Sequence, residues 1–145
     1  MKIFNIIVLA LSCLALFYAC TMRLIHPDTA VFLQSYFEHL ANSLETHIDL
    51  ANEIRGVGMV MLLGGIVALI GAIWQDFRQA AFMVATVIFA GVILGRLVSF
   101  AIDGLPHTGV LRAAVAEAVL AGLNVVCLAN SMLKGNVPSE DLGES

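Results

Sequence analysis

Four long apolar segments constrain the fold of this 145-residue chain more than any other feature of its sequence. A helix that crosses a membrane needs about 20 mostly apolar residues. Four segments meet that requirement: 3–22, 57–74, 80–102 and 110–133. The sequence therefore predicts an all-α integral membrane four-helix bundle, with a single domain over residues 1–134 and a disordered tail over residues 135–145.

The composition of the chain also indicates a membrane protein. Hydrophobic residues make up 60% of it and charged residues 12%, whereas soluble domains carry about 25% charged residues. The net charge is −4 without a block of basic residues, so we expect no nucleic-acid partner. The three cysteines lie in apolar segments without a C-x-x-C spacing, and no flavin, haem or nucleotide motif occurs. We therefore expect no cofactor.

Two short polar loops determine which spans are neighbours. Residues 75–79 connect the second span to the third, and a loop over residues 103–109 that contains Gly and Pro connects the third to the fourth. Loops this short make these three spans antiparallel neighbours. The first span also resembles a signal peptide, with Cys20 as a lipidation site, but Phe17-Tyr18-Ala19 fits a lipobox poorly. We expect the first span to be retained.

Residues 28–50, between the first two spans, carry an amphipathic pattern. Apolar side chains recur at spacings of three and four, at Leu33, Phe37, Leu40, Leu44 and Ile48. Polar and acidic residues fall mainly on the other side of a helix with this period. The pattern predicts an extra amphipathic helix that lies on the bilayer or caps the outer mouth of the bundle.

The basic residues are almost balanced between the two sides of the predicted membrane. One side holds Lys2, Arg78 and Lys134, and the other holds Arg23, Arg55 and Arg112. Because nearby carboxylates mark Arg55 and Arg112 as site residues, we leave both out of the count of basic residues on that side. We therefore expect both termini to be cytoplasmic and residues 28–50 to face outward.

Small residues at intervals of four run along three spans. Such residues let helix backbones approach closely in lipid, where no hydrophobic force drives helices together. The stripes are Gly64, Ala68 and Ala72 in the second span, Gly91, Gly95 and Ser99 in the third, and Ala114, Ala118 and Gly122 in the fourth. We expect the stripes to form helix contacts, although Gly and Ala are also common in membrane helices generally.

Two charged residues lie deep in apolar segments, Arg96 in the third span and Glu117 in the fourth. A guanidinium stays protonated, so Arg96 needs an anion or a wet cavity within the membrane. Counted from the loop between the two spans, Arg96 is about 10 Å deep and Glu117 about 12 Å deep. Their similar depth predicts an ion pair. Ser99 and Asp103 follow Arg96 at i+3 and i+7, on the same helical face.

These residues predict a polar pocket that opens toward the outer leaflet and binds a ligand, because ionisable residues within a membrane usually mark a site. The predicted ligand-binding residues are Glu53, Arg55, Arg96, Ser99, Asp103, Arg112 and Glu117. The alternative is an ion-pair network that fixes the helix register and binds nothing.

Serine hydrolysis and metal binding are not expected. Ser99 has no histidine on its helical face within the span, so a general base is missing. His39 and His47 are eight residues apart, whereas two ligands on one helical face are four apart. We expect no metal site.

Three features of the last three spans resemble the signature of a known family. They are Asn52-Glu53-Ile54-Arg55-Gly56, Gly95-Arg96-x-x-Ser99-x-x-x-Asp103-Gly104-x-Pro106, and Glu117. The chain resembles a small bacterial four-span membrane family known as a domain of unknown function, over about residues 51–133. The resemblance implies that Glu53, Arg55, Arg96, Asp103 and Glu117 form a shared polar set in an inner-membrane protein, and it implies no activity. More distantly, the architecture is similar to DoxX/DoxD-like membrane proteins, some of which are linked to quinone or sulfur redox chemistry.

Three classes of function follow from the pocket. The first is binding of an amphiphile such as a lipid, quinone or isoprenoid, with Arg55 and Arg96 holding its head, or an accessory role beside a membrane-protein partner or a second copy of the chain. The second is an enzyme or redox subunit in which Glu117 acts as acid and base. The third is a structural subunit or an ion or proton transporter, and the apolar opposite leaflet argues against transport.

Overall fold

The computed structural model describes residues 2–25, 44–102, 104–106 and 108–135. They form four α-helices, which are α1 (Lys2–Ile25), α2 (Leu44–Ile73), α3 (Arg78–Ile102) and α4 (Thr108–Gly135). A 3-10 turn over Gln75–Phe77 connects α2 to α3, and the described ranges contain no strand. All four helices are long and apolar enough to cross a membrane. The predicted all-α, four-span architecture is confirmed.

The helices overlap the four predicted spans, and the largest difference is at the start of α2. Residues 44–50 were predicted to end the amphipathic arm, but they form the first two turns of α2. No proline or glycine interrupts the sequence between residues 44 and 55, so nothing stops the helix before the apolar segment begins. Residues 28–43 of the arm, and the tail beyond Gly135, lie outside the described residues.

The helices alternate in direction around the bundle. Gly58 of α2 lies beside Arg23, and Gly71 lies beside Leu9, which makes α1 and α2 antiparallel. Each helix packs chiefly against the next one in the chain, and α1 and α4 complete the ring with far fewer contacts. The seam between α1 and α4 is therefore the weakest side of the bundle.

Each half of the bundle contains a cluster of buried side chains. We call the end with the Gln75–Phe77 turn the turn end, and the end with residues 104–106 the loop end. The half nearer the turn end is filled by one cluster of buried side chains from all four helices: Val8, Leu9, Cys13, Ala68, Ala81, Phe82 and Cys127. The other half contains a smaller cluster and also a cavity, so we call the half at the turn end the closed half. The smaller cluster consists of Leu16, Cys20, Met61, Ala85 and Phe89.

A buried hydrogen bond joins α1 to α4 at the upper limit of this closed half. The Asn124 amide donates to the Ser12 hydroxyl over 2.8 Å and to the Leu120 carbonyl over 2.8 Å. Ser12 and Asn124 are both fully buried. In an apolar environment such a bond is hard to exchange for another partner, so it holds together the seam that has the fewest other contacts.

Only one of the three predicted stripes of small residues packs inside the chain. On α2, Ala68 is fully buried, and a Cβ added to Gly64 would overlap the end of the Ile88 side chain. On α3 and α4, a Cβ at Gly91, Gly95 or Gly122 would meet no other described atom within 4 Å. The expectation of helix contacts is therefore wrong for these glycines.

The reason lies in which face α3 buries. The buried face of α3 carries Ala81, Phe82, Ala85 and Phe89. The two aromatic rings fill the space between the helices. Gly91 follows Phe89 by two positions and therefore points to the opposite side of the helix.

We expect Gly71→Ala to lower the free energy of unfolding by about 1–3 kcal/mol, because a new methyl group would overlap the Ala81 Cβ, which is fixed to the backbone. Gly91→Ala is the matched control, since its methyl group would enter open space. It should be neutral or stabilising by up to about 1 kcal/mol. Unfolding in mixed detergent micelles with increasing SDS measures both changes. Equal losses for the two variants would contradict the packing of α2 against α3.

Candidate functional site

Arg96 of α3 and Glu117 of α4 form the ion pair that their depths predict. The Arg96 Nε donates to Glu117 Oε2 over 2.6 Å, and Nη2 donates to Oε1 over 2.9 Å. Two parallel charge-assisted bonds of this kind fix the orientation of both side chains. The side chains are 18% and 19% exposed, so the pair is mostly shielded from its surroundings.

The loop between α3 and α4 brings the two residues to the same level. Gly104 has a φ of 92°, in the left-handed region where a side chain would be strained, and it ends α3. Pro106 follows in a segment without regular secondary structure, and α4 begins at Thr108. The tight connection keeps the two helices in register, so Arg96 and Glu117 face each other.

Arg23 of α1 completes a group of three charged side chains at this level. Its Nη1 donates to the Ala19 carbonyl over 3.0 Å, and its side chain is half-buried. It lies close enough to Arg96 and Glu117 to interact with both charges. Gly58 of α2 gives Arg23 this position, because a Cβ there would approach the Arg23 Cβ to 3.1 Å.

Arg23 is not among the predicted site residues, because the sequence places it only at the end of the first span. A signal was present, because Ala15, Ala19 and Arg23 are spaced by four residues. The same spacing of small residues was noted in the other three spans. Applied to the first span, it places Arg23 on the packed face of α1, toward the other helices.

A cavity of about 650 Å³ opens between the four helices in the half of the bundle nearer the loop end. Arg23, Glu53, Arg96 and Glu117 are the charged residues of its wall, and most of the remaining wall is apolar. Leu120 lines the cavity, and its carbonyl accepts the bond from Asn124, so the Ser12–Asn124 bond lies directly beneath. We call the part of the cavity nearer the loop end its mouth and the part toward the Ser12–Asn124 bond its floor. The charged residues belong to the mouth, together with apolar residues such as Val110, and the floor is apolar.

The cavity is also open sideways, between α1 and α4. Tyr18 of α1 and Ala116 of α4 both line it, yet Tyr18 is 63% exposed and Ala116 is exposed as well. This opening coincides with the seam that has the fewest contacts. In a membrane, the opening would face lipid rather than water.

The structure brings some of the predicted site residues together and separates others. Glu53 is exposed and lines the mouth of the cavity beside Arg96 and Glu117. Arg55 and Arg112 are exposed and do not line the cavity. Arg55 follows Glu53 by two positions, and Arg112 precedes Glu117 by five, so each points away from the cavity face of its own helix.

The two other predicted residues belong to the end of the third span. Ser99 lies one turn beyond Arg96 toward the loop end and is exposed, and it is not part of the cavity wall. Asp103 lies outside the described residues.

The arrangement is better suited to binding than to proton transfer. Both carboxylate oxygens of Glu117 accept bonds from Arg96, so a substrate proton would have to compete with a guanidinium that contacts both. Among the side chains that the structure describes, no three His, Cys, Asp or Glu residues lie together as metal ligands would.

Residues 4–128 match the family described as Domain of unknown function (DUF4345). The chain belongs to this family. The matched segment extends from the start of α1 to Leu128 in α4, so the DUF4345 domain contains the cavity and its charged residues. It also contains the first span, where the sequence analysis found no resemblance. No curated protein and no solved structure matches the chain.

Proposed function

We propose that this multi-pass DUF4345 protein binds an amphiphile, a molecule with a polar head and an apolar chain, in the cavity at its loop end. The observation that carries the proposal is the division of the cavity wall into two parts. Arg23, Glu53, Arg96 and Glu117 provide charge near the mouth, and side chains such as Leu16, Phe89 and Leu120 provide an apolar floor. An amphiphile has the same division.

The size of the cavity supports this proposal. Cavities that bind small molecules in proteins measure about 300–1,000 Å³ and are mainly apolar, with a few polar groups that orient the ligand. At about 650 Å³ the cavity falls within that range. Lipids, quinones and isoprenoids all combine a polar head with a chain that suits such a wall.

The proposal predicts that the protein retains or takes up an amphiphile, and that filling the cavity prevents this. Ala113→Phe places a ring in the cavity, because Ala113 lies on its wall. Ala118→Phe is the matched control, because Ala118 is exposed on the same helix and is not part of the wall. Native mass spectrometry of the purified protein should detect bound lipid in the wild type and in Ala118→Phe, and at least about tenfold less in Ala113→Phe.

Two results would count against amphiphile binding. One is a wild-type protein that carries no bound molecule and also fails to take up added phospholipids, ubiquinone or polyprenols from mixed micelles. The other is equal lipid binding by Ala113→Phe and the wild type, which would place the lipid outside the cavity.

We also propose that the protein lies in a bacterial inner membrane with its turn end in the cytoplasm. Lys2, Arg78 and Lys134 belong to the turn end of the bundle. At the loop end, Arg23 and Arg96 are cavity residues and do not count as loop charges, whereas Arg55 and Arg112 do not line the cavity and are counted. The turn end therefore keeps an excess of one basic residue. Positive charge at the ends of spans favours the cytoplasmic side.

The proposed orientation predicts which positions a membrane-impermeant maleimide reaches in intact cells. A cysteine introduced at exposed Leu105, at the loop end, should be labelled, and one introduced at exposed Gln75, at the turn end, should be labelled only after lysis. The three native cysteines are buried and should give little background. The opposite labelling pattern would show that the loop end, and not the turn end, lies in the cytoplasm.

A further inference from the structure

We infer that Arg23 is the anion-binding residue of the cavity, and that the head of the ligand carries a phosphate or carboxylate group. The inference rests on the proposed binding of an amphiphile and adds the chemistry of its head. It also changes the roles of the arginines, because the sequence analysis assigned the head to Arg55 and Arg96. Three observations support it: the local balance of charge, the direction of the Arg23 side chain, and the sideways opening of the cavity.

The charges at the Arg23 level do not balance. Arg96 and Glu117 neutralise each other through two hydrogen bonds. Among the described side chains, theirs is the only ion pair, and the bond that Arg23 makes is to a neutral backbone carbonyl. Among the described side chains at this level, two guanidinium groups thus share one carboxylate, which leaves these side chains with a net charge of about +1.

Glu53 does not remove this excess. It lines the mouth of the cavity but is exposed, and it forms no ion pair with Arg23. An exposed carboxylate that forms no ion pair stabilises a nearby cation only weakly. The balance is restored when an anion binds beside Arg23.

The direction of the Arg23 side chain also favours a ligand within the cavity. An arginine in the last turn of a spanning helix ordinarily extends outward to reach the headgroup region. Arg23 instead bends back along α1 and donates to the carbonyl of Ala19, one turn deeper. Its remaining N–H groups are therefore held at the cavity wall, near a second guanidinium that repels it.

This arrangement favours an anionic head over a neutral one. Phosphate and carboxylate oxygens accept charge-assisted hydrogen bonds from arginine, which are about twice as strong as bonds between neutral groups. A quinone carbonyl accepts a hydrogen bond but leaves the excess positive charge in place. Within the amphiphiles that suit the cavity, Arg23 therefore selects those with an acidic head.

The sideways opening indicates that the anion is part of a lipid. A free phosphate ion balances the charge but leaves the apolar floor without a partner. The opening beside Tyr18 and Ala116 leads from the cavity toward the surrounding bilayer. An acidic lipid can place its head beside Arg23 and its chains against the apolar floor and through this opening.

The test compares three probes on the purified full-length protein in maltoside micelles: dioleoyl phosphatidic acid, dioleoylglycerol with the same chains and no phosphate, and inorganic phosphate. We expect phosphatidic acid to bind at least about tenfold more tightly than dioleoylglycerol. Arg23→Gln should reduce this preference to less than about twofold, and Arg23→Lys should retain part of it. Native mass spectrometry with titrated lipid measures the affinities.

Arg78→Gln is the matched control. Arg78 is also half-buried and also donates to a backbone carbonyl, that of Gly71 over 3.3 Å, but it lies at the turn end, away from the cavity. The Arg78→Gln variant should therefore keep the wild-type preference for phosphatidic acid. Arg23→Lys, which keeps the charge, provides the comparison if Arg23→Gln fails to fold.

Three outcomes would overturn the inference. They also distinguish its failure from a failure of the proposed amphiphile binding. Equal affinity for both lipids, unchanged by Arg23→Gln, would refute selection of an acidic head while leaving amphiphile binding intact. Inorganic phosphate that binds as tightly as phosphatidic acid would show that the ligand is a free anion. If neither lipid binds, the proposed function fails together with the inference.

Discussion

The bidentate bond between Arg96 and Glu117 is the contact on which the open half of the bundle depends. In lipid, helices associate through close packing and polar contacts, because burial from water supplies no force between them. A cavity between the four helices removes part of that packing in the half nearer the loop end. A shielded ion pair then penalises any sliding of α3 along α4, since sliding would leave two unpaired charges in an apolar environment.

The contrast between the two halves of the bundle explains how one small domain combines stability with a binding cavity. Near the turn end, Gly71 brings α2 against α3 and α1, and the Ser12–Asn124 bond closes the seam between α1 and α4. Above that bond the same seam opens, and the cavity begins. The closed half fixes the four helices, so the open half can leave space between them without losing its geometry.

The sequence predicted the helices and the ion pair because both follow from local rules. Apolar length defines a span, and counting residues from a short loop gives the depth of Arg96 and Glu117. The position of Arg23 depends on how α1 packs against α2, and no short loop connects those two helices. The stripe at Gly91 and Gly95 was misassigned for a related reason, since small residues mark a face on which a helix can pack and do not identify its partner.

The measurement that tests the account most directly is a charge-exchange cycle on the ion pair. Arg96→Glu and Glu117→Arg should each lower the free energy of unfolding in micelles by at least about 1–3 kcal/mol, because each places two like charges together. The double variant, which exchanges the two residues, should recover most of that loss. Losses that simply add in the double variant would show that the two residues do not interact, and the arrangement of the cavity around them would then be wrong.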